Sequence, residues 1–403
     1  MPTDVISPPA TPTLTPASLR KQLAQDPRTV TRPDVKQFLA NRWQQLFLQE
    51  AAQDKRAVKE ARNPISKVGV RDRRPPEQKI AERFLRGDGI SAWQQECAPH
   101  TKPQVKNTTL VFCAGLLNGL LPDHAFRDEF IGLHEQHGWP IMRADMHPMR
   151  GCAPNCEDIR RVLDEGHGTK LDGSRQADQF DAPGDVVLMG YSKGGADILE
   201  FLARYPEYKK RVRAVVLWAG AVGGSYTADG IYDSIKDVDL AGAYQRLSDF
   251  LKVFSPFVQN KPQGMFRRLD EYNIKEALRD LTTHQRGAFL KDHGKALDAL
   301  NIPIFTFTAA TSFLRVPTFQ MHDALSISKY DANNDMQLTQ AQAKTGLPME
   351  THLAILHGHH WDISYPPFPR AARLGSPNLD HPFPRKAAIS ALVTLLAEIG
   401  VMK

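Results

Sequence analysis

Cysteine is scarce in this chain: Cys97, Cys113, Cys152 and Cys156 are the four among 403 residues. That excludes a fold stapled by disulfides. No run approaches the 18 apolar residues of a membrane-spanning helix, and Met1 to Pro16 lacks the apolar stretch of a secretory signal. The default expectation is therefore a cytoplasmic protein, with a non-standard export route left open. Neither sign of charge dominates, with 51 Lys and Arg against 45 Asp and Glu and a net charge of +6. With 41% hydrophobic and 24% charged residues, the composition excludes wholesale disorder, collagen and coiled coil. What is present suffices for a large core in one big domain or two ordinary ones.

The small positive excess has a location. Lys55 to Asp88 carries 11 basic and 5 acidic residues, which leaves 40 of each sign on the other 369. This segment has the charge density of a patch for an anionic membrane or an acidic partner. Its single aromatic, Phe84, provides no interleaved stacking platform, so nucleic acid is not expected and a solvated connector is the simpler reading. Nothing in the sequence assigns an oligomeric state.

Five prolines within residues 1–16 mark an extended, disordered tail, and six between Pro366 and Pro384 mark a long surface loop. Residues 17–106 read as a helical extension with the basic connector inside it. Its helices are expected near residue 18, from Asp34 to about Ala61 and from Glu77 to Leu85. From residue 107 the texture changes to short apolar runs: Thr109–Cys113, Ile141–Ala144, Val186–Met189, Ala214–Trp218, Ile302–Phe307 and Leu353–Leu356. Helical segments near 124–136, 155–164, 195–205 and 386–399 separate or follow them. This alternation predicts an α/β fold with a mainly parallel sheet covered by helices on both faces. Residues 107–220 and 301–403 would form that core. The intervening 221–300, with Tyr232, Tyr244, Phe250, Phe254, Phe257 and Phe266, reads as a helical cap over one end of the sheet.

The sharpest chemical signal is Gly190-Tyr-Ser192-Lys-Gly194, set between an apolar strand and a helix. A strand-to-helix turn tight enough to project one hydroxyl needs glycines beside it, and the helix N-terminus favours negative charge developing there. Ser192 is therefore the candidate nucleophile.

With this motif the chain, over roughly residues 107–399, resembles the α/β-hydrolase family. The resemblance implies the order serine, acid, histidine. Leu353-Ala-Ile-Leu-His357-Gly-His359-His360-Trp361 is similar to the family's histidine loop. His360 fits best as general base and acid, with His359 and then His357 as rivals. Asn333-Asn334-Asp335 resembles the family's acid loop, making Asp335 the first choice to orient the histidine, ahead of Asp331 and Asp323. The resemblance also implies an oxyanion hole built from the backbone N–H of Lys193 and of Leu116, with Leu117 behind it.

Two metal readings fail on their own chemistry. Asp331-x-Asn333-x-Asp335 opens like a calcium loop, but Met336 stands where the turn wants glycine and Gln342 where a bidentate glutamate is wanted. His147, Cys152 and Cys156 lack the second ligand pair of a zinc site. The expectation is a serine hydrolase acting on a small-molecule carboxylic ester through an acyl-enzyme, with an apolar acyl group favoured and no metal or cofactor implied. An acyltransferase or thioesterase with the same triad, or a non-catalytic binding protein on the same fold, are the alternatives.

Overall fold

One sheet of eight strands organises the molecule. The computed structural model describes residues 14–62, 72–98, 100–119, 121–174, 180–238, 268–370 and 377–403. Residues 1–13 of the tail, 63–71 of the connector, 371–376 of the proline-rich loop and 239–267 of the expected cap lie outside the described residues. The last group includes Tyr244, Phe250, Phe254, Phe257 and Phe266.

The strands are β1 (Leu85–Arg86), β2 (Thr108–Cys113), β3 (Ile141–Ala144), β4 (Gly168–Thr169), β5 (Asp185–Tyr191), β6 (Val212–Trp218), β7 (Ile304–Ala309) and β8 (Glu350–Leu356). Across the sheet they run β1-β8-β7-β6-β5-β2-β3-β4. Inner neighbours are parallel, while β1 and β4 run antiparallel at the two rims. Five of the six apolar runs lie within parallel strands and the sixth, Ile302–Phe307, overlaps β7 from Ile304, because a parallel strand is buried on both faces and must be apolar throughout. The two rim strands have two residues each, too few for a pattern to mark them.

The period-two alternation of a strand divides the core into two layers. Leu110, Phe112, Val187, Met189, Val216 and Trp218 face one side. There α2 (Pro33–Gln53), α5 (Arg127–His137) and α12 (Arg385–Glu398) cover the sheet. Val111, Cys113, Val186, Leu188, Val215 and Leu217 face the other, beneath α6 (Cys152–Glu165), α7 (Lys193–Arg204) and α10 (Thr283–Ala299). The helix expected from Asp34 to Ala61 is broken into α2 and α3 (Lys55–Glu60). Asp54 leaves the helical region there, and its carboxylate accepts hydrogen bonds from the Arg56 and Ala57 amides. Helix formation stops because the side chain offers those amides another acceptor.

Of the expected cap, α8 (Tyr226–Ile235) and α9 (Ile274–Arg279) are described. α10 returns to the sheet and packs Phe289 and Leu297 into the layer around α7. Among the described residues, no helix is long and apolar enough to cross a membrane. The chain leaves β2 toward β3 and leaves β5 toward β6, on opposite sides. The crevice between β2 and β5 is thus the topological switch point where open α/β sheets place their ligands.

Candidate active site

Ser192 sits at that crevice, on the turn from β5 into α7. Its backbone has φ 53° and ψ −124°, a region that costs a non-glycine residue on the order of 1–3 kcal/mol. Close packing holds it there. A Cβ at Gly190 would come within 2.6 Å of the Gly194 backbone, and one at Gly194 within 2.1 Å of the Cys113 carbonyl oxygen. The two glycines of the motif are thus required by close approach of backbone to backbone. The Ser192 amide donates to the Trp218 carbonyl (3.3 Å), and its own carbonyl accepts from Gly195 (3.1 Å) and Ala221 (2.9 Å).

The loop after β2 passes against the serine. A Cβ on Gly115 would stand 2.7 Å from Ser192 Cβ, so only glycine lets the chain come this close. Leu116 follows directly. The Leu117 amide is already committed, donating to the Pro148 carbonyl at 3.1 Å. Lys193 opens α7, and its side chain turns into the core, where Nζ lies 2.5 Å from Asp197 Oδ1 with both side chains about 1% exposed. Burial opposes the charge on Lys193, but the Asp197 carboxylate outweighs it and holds the ammonium above its usual range. Asn155 donates to the other Asp197 oxygen. This pair anchors the first turn of α7 immediately behind the serine.

His360 stands on the turn after β8 and is buried. Its Nδ1 lies 2.7 Å from Asp335 Oδ2, and its backbone N–H donates to the Asp335 carbonyl at 2.9 Å. Asp335 is fixed in turn, because its Oδ1 accepts from the amides of Gln337 (3.0 Å) and Leu338 (2.7 Å). The Tyr191 ring lies against the imidazole at 4.9 Å, and its hydroxyl donates to the His360 carbonyl at 3.0 Å. With Nδ1 facing a carboxylate, the imidazole carries its proton there and presents Nε2 as an acceptor. That Nε2 is buried and has no hydrogen-bond partner among the described residues.

The rival residues are occupied elsewhere. His359 Nε2 faces the Asn378 carbonyl (2.8 Å), its Nδ1 accepts from the Asp362 amide (3.2 Å), and burial pushes its pKa down. His357 is pushed down to about 3 by burial and by Arg86, Arg83 and Arg315, and it does not line the serine's cavity. Asp331 accepts from the Asn333 and Gln340 amides, and Asp323 lies near His322 on α11 (Met321–Ile327). Met336, at the position where a calcium loop wants glycine, takes φ 77° and is buried. His147 is pushed down to about 4, chiefly by burial, and accepts from the Met149 amide. Burial raises the Cys152 and Cys156 thiols.

Ser192 and His360 share the wall of one cavity. Leu116, Leu117, Met149, Ala221, Ala228, Ile231, Leu278, Leu281 and Leu338 make most of its surface apolar, and Trp361 and Tyr365 add aromatic faces. α8 and α9 supply Ala228, Ile231 and Leu278, so part of the cap segment forms one side. Sequence reasoning did not single out Tyr191 or Gln320 at this site. Tyr191 lies inside the motif itself and could have been found as the residue next to the nucleophile. Gln320 follows a loop with no periodicity to mark it.

No family model and no curated protein matches the sequence. Two similar solved structures are compared with the chain. The metagenomic carboxyl esterase MGS0156 is 22% identical, and the match covers 85% of this chain and 91% of that one at a TM-score of 0.57. The mature form of the Bacillus licheniformis lipase BlEst2 is 18% identical over 66% of this chain and 89% of that one, at a TM-score of 0.42. The sheet order, the helices on both faces and the first of these likenesses agree: the chain has the α/β-hydrolase fold.

Proposed function

We propose that this protein is a serine hydrolase that cleaves a carboxylic ester through an acyl-enzyme. The observation that carries the reading is the state of His360. Its Nδ1 is held by Asp335 at 2.7 Å, while its buried Nε2 is left without a partner in the same cavity wall as Ser192. A buried unpaired acceptor costs about 1–3 kcal/mol, a cost that a proton delivered by the serine would relieve.

Ser192 Oγ attacks the ester carbonyl as His360 Nε2 takes its proton. The backbone N–H groups of Lys193 and Leu116 receive the developing oxyanion, and the N-terminus of α7 adds its partial positive charge. Leu117 is the weaker second donor, since its amide is spent on Pro148. Collapse of the tetrahedral intermediate breaks the C–O bond, and His360 returns the proton to the departing alkoxide. Water, deprotonated by His360, then attacks the acyl-serine and releases the acid. Apolar walls favour an apolar acyl group and small-molecule esters, and the fold shared with a carboxyl esterase supports that class.

Labelling with a fluorophosphonate probe tests the mechanism. The native chain is expected to label, and Ser192→Ala is expected not to label and to lose turnover of p-nitrophenyl butyrate by at least about a thousandfold. A native chain that does not label, or a Ser192→Ala chain that does, refutes the mechanism.

A further inference from the structure

The cavity beside Ser192 has two buried side-chain atoms in its wall without a hydrogen-bond partner among the described residues. One is His360 Nε2, which the proposed chemistry uses. The other is Gln320 Nε2, which it does not use. Gln320 is 1% exposed and ends a short turn (Thr318–Gln320) that leads into α11. Its backbone N–H is satisfied by the Pro317 carbonyl at 2.8 Å, so the turn does not need the side chain to close it. Two other polar side chains of the wall are already engaged: the Tyr191 hydroxyl donates to the His360 carbonyl, and Ser225 Oγ donates to the Gln337 carbonyl and caps the start of α8.

A primary amide brings two donors, and burying them unpaired among leucines is unfavourable unless a partner arrives. Leucine or methionine would fill the same space without that penalty. Gln320 lines the reaction cavity, and its unpaired donor fits a partner carried by the ligand. Such a group also discriminates strongly, because a ligand lacking the acceptor leaves the amide desolvated and unpaired.

We propose that Gln320 is a specificity-determining residue whose amide donates a hydrogen bond to an oxygen on the substrate chain, away from the scissile ester. The preferred substrates are then esters whose chain carries an ether, carbonyl or hydroxyl oxygen, rather than plain alkyl esters of equal length. This rests on the ester-hydrolase reading of the same site. Gln320 takes no part in the bond-making steps.

The test compares kcat/KM for matched esters in the native chain, Gln320→Met and Gln320→Glu. One series is p-nitrophenyl pentanoate against its two ether analogues, the ethoxyacetate and the 3-methoxypropanoate. The other is pentyl butyrate against alkoxyalkyl butyrates of the same length. Comparing each within-enzyme ratio between native and variant cancels the intrinsic reactivity of each ester. At one oxygen position the oxygen-to-methylene ratio is expected to fall about tenfold in both variants. The melting temperature of Gln320→Met is expected to equal or exceed that of the native chain, because an unpaired polar group has left an apolar wall. Ratios unchanged at every position in both series, or a lower melting temperature with unchanged ratios, overturn the proposal and make the amide structural. A native chain that labels with fluorophosphonate but shows flat ratios rejects this inference alone. A native chain that neither labels nor turns over any ester rejects the hydrolase reading and this inference together.

Discussion

Asp335 has both carboxylate oxygens assigned, and the assignment fixes what its replacement would do. Oδ1 is tied to two backbone amides and Oδ2 accepts the hydrogen bond of His360 Nδ1–H. In Asp335→Asn the oxygen would stay with the amides and turn an NH2 toward Nδ1. The imidazole would then move its proton to Nε2 and could no longer accept one from Ser192. The expected outcome is a kcat for p-nitrophenyl butyrate lower by about ten-thousandfold. Asp331, the other candidate acid in sequence, only closes its own loop through Asn333 and Gln340. Asp331→Asn is expected to leave kcat within about threefold. Steady-state kinetics on the two variants decides between them, and a larger loss from Asp331→Asn would reverse the assignment.

Among the elements, α2 ties the N-terminal segment to the site most directly. Trp43 is fully buried, stacks on Phe47 at 5.1 Å and meets Phe307 of β7 edge-on at 4.7 Å. Phe307 in turn lies 4.5 Å from Trp218, at the end of β6. Gln44 donates to the Leu353 carbonyl of β8, the strand that leads to His360. Trp43→Ala is expected to destabilise the fold by about 3–5 kcal/mol, seen as a lower urea midpoint with an unchanged slope. Trp43→Phe should cost far less, because it keeps a ring and removes an indole N–H that has no partner among the described residues. If Trp43→Ala unfolds at the native midpoint, α2 is not part of the core. Composition did not mark this packing, since Leu39, Trp43 and Leu46 announce an apolar face but not what it covers. The elbow was legible because strand, glycine pair and helix are contiguous in the chain. The Asp335–His360 pairing joins residues 25 apart, and only the resemblance to a family supplied it. The rim strands and Gln320 carry no local pattern at all.

At the scale of the whole molecule, buried histidines make the fold sensitive to acid. Three histidines, one after β3 and two on or just after β8, are held neutral by burial. His147 is lowered to about 4, His352 on β8 to about 3 and His357 after β8 to about 3, with nearby cations adding to the effect at each. In the unfolded chain each binds a proton near pH 6.5. Above that pH all three are neutral in both states and contribute nothing to the pH dependence. As pH falls below 6.5, the unfolded chain takes up protons that the folded chain refuses, so stability drops. The slope approaches about 1.4 kcal/mol per pH unit for each histidine and persists until the folded pKa is reached. Carboxylates remain ionised in both states over most of this window, so histidines dominate between pH 6.5 and 5. Urea unfolding at pH 7.0, 6.0 and 5.0 is expected to show a falling midpoint. His352 is the clearest single case, since its Nε2 meets Thr308 Oγ1 at 3.0 Å inside the sheet. Replacing it by Gln, which does not titrate, should flatten the dependence by about one proton. A midpoint that holds constant from pH 7 to 5, or a His352→Gln chain as acid-sensitive as the native one, would show that these side chains charge without unfolding.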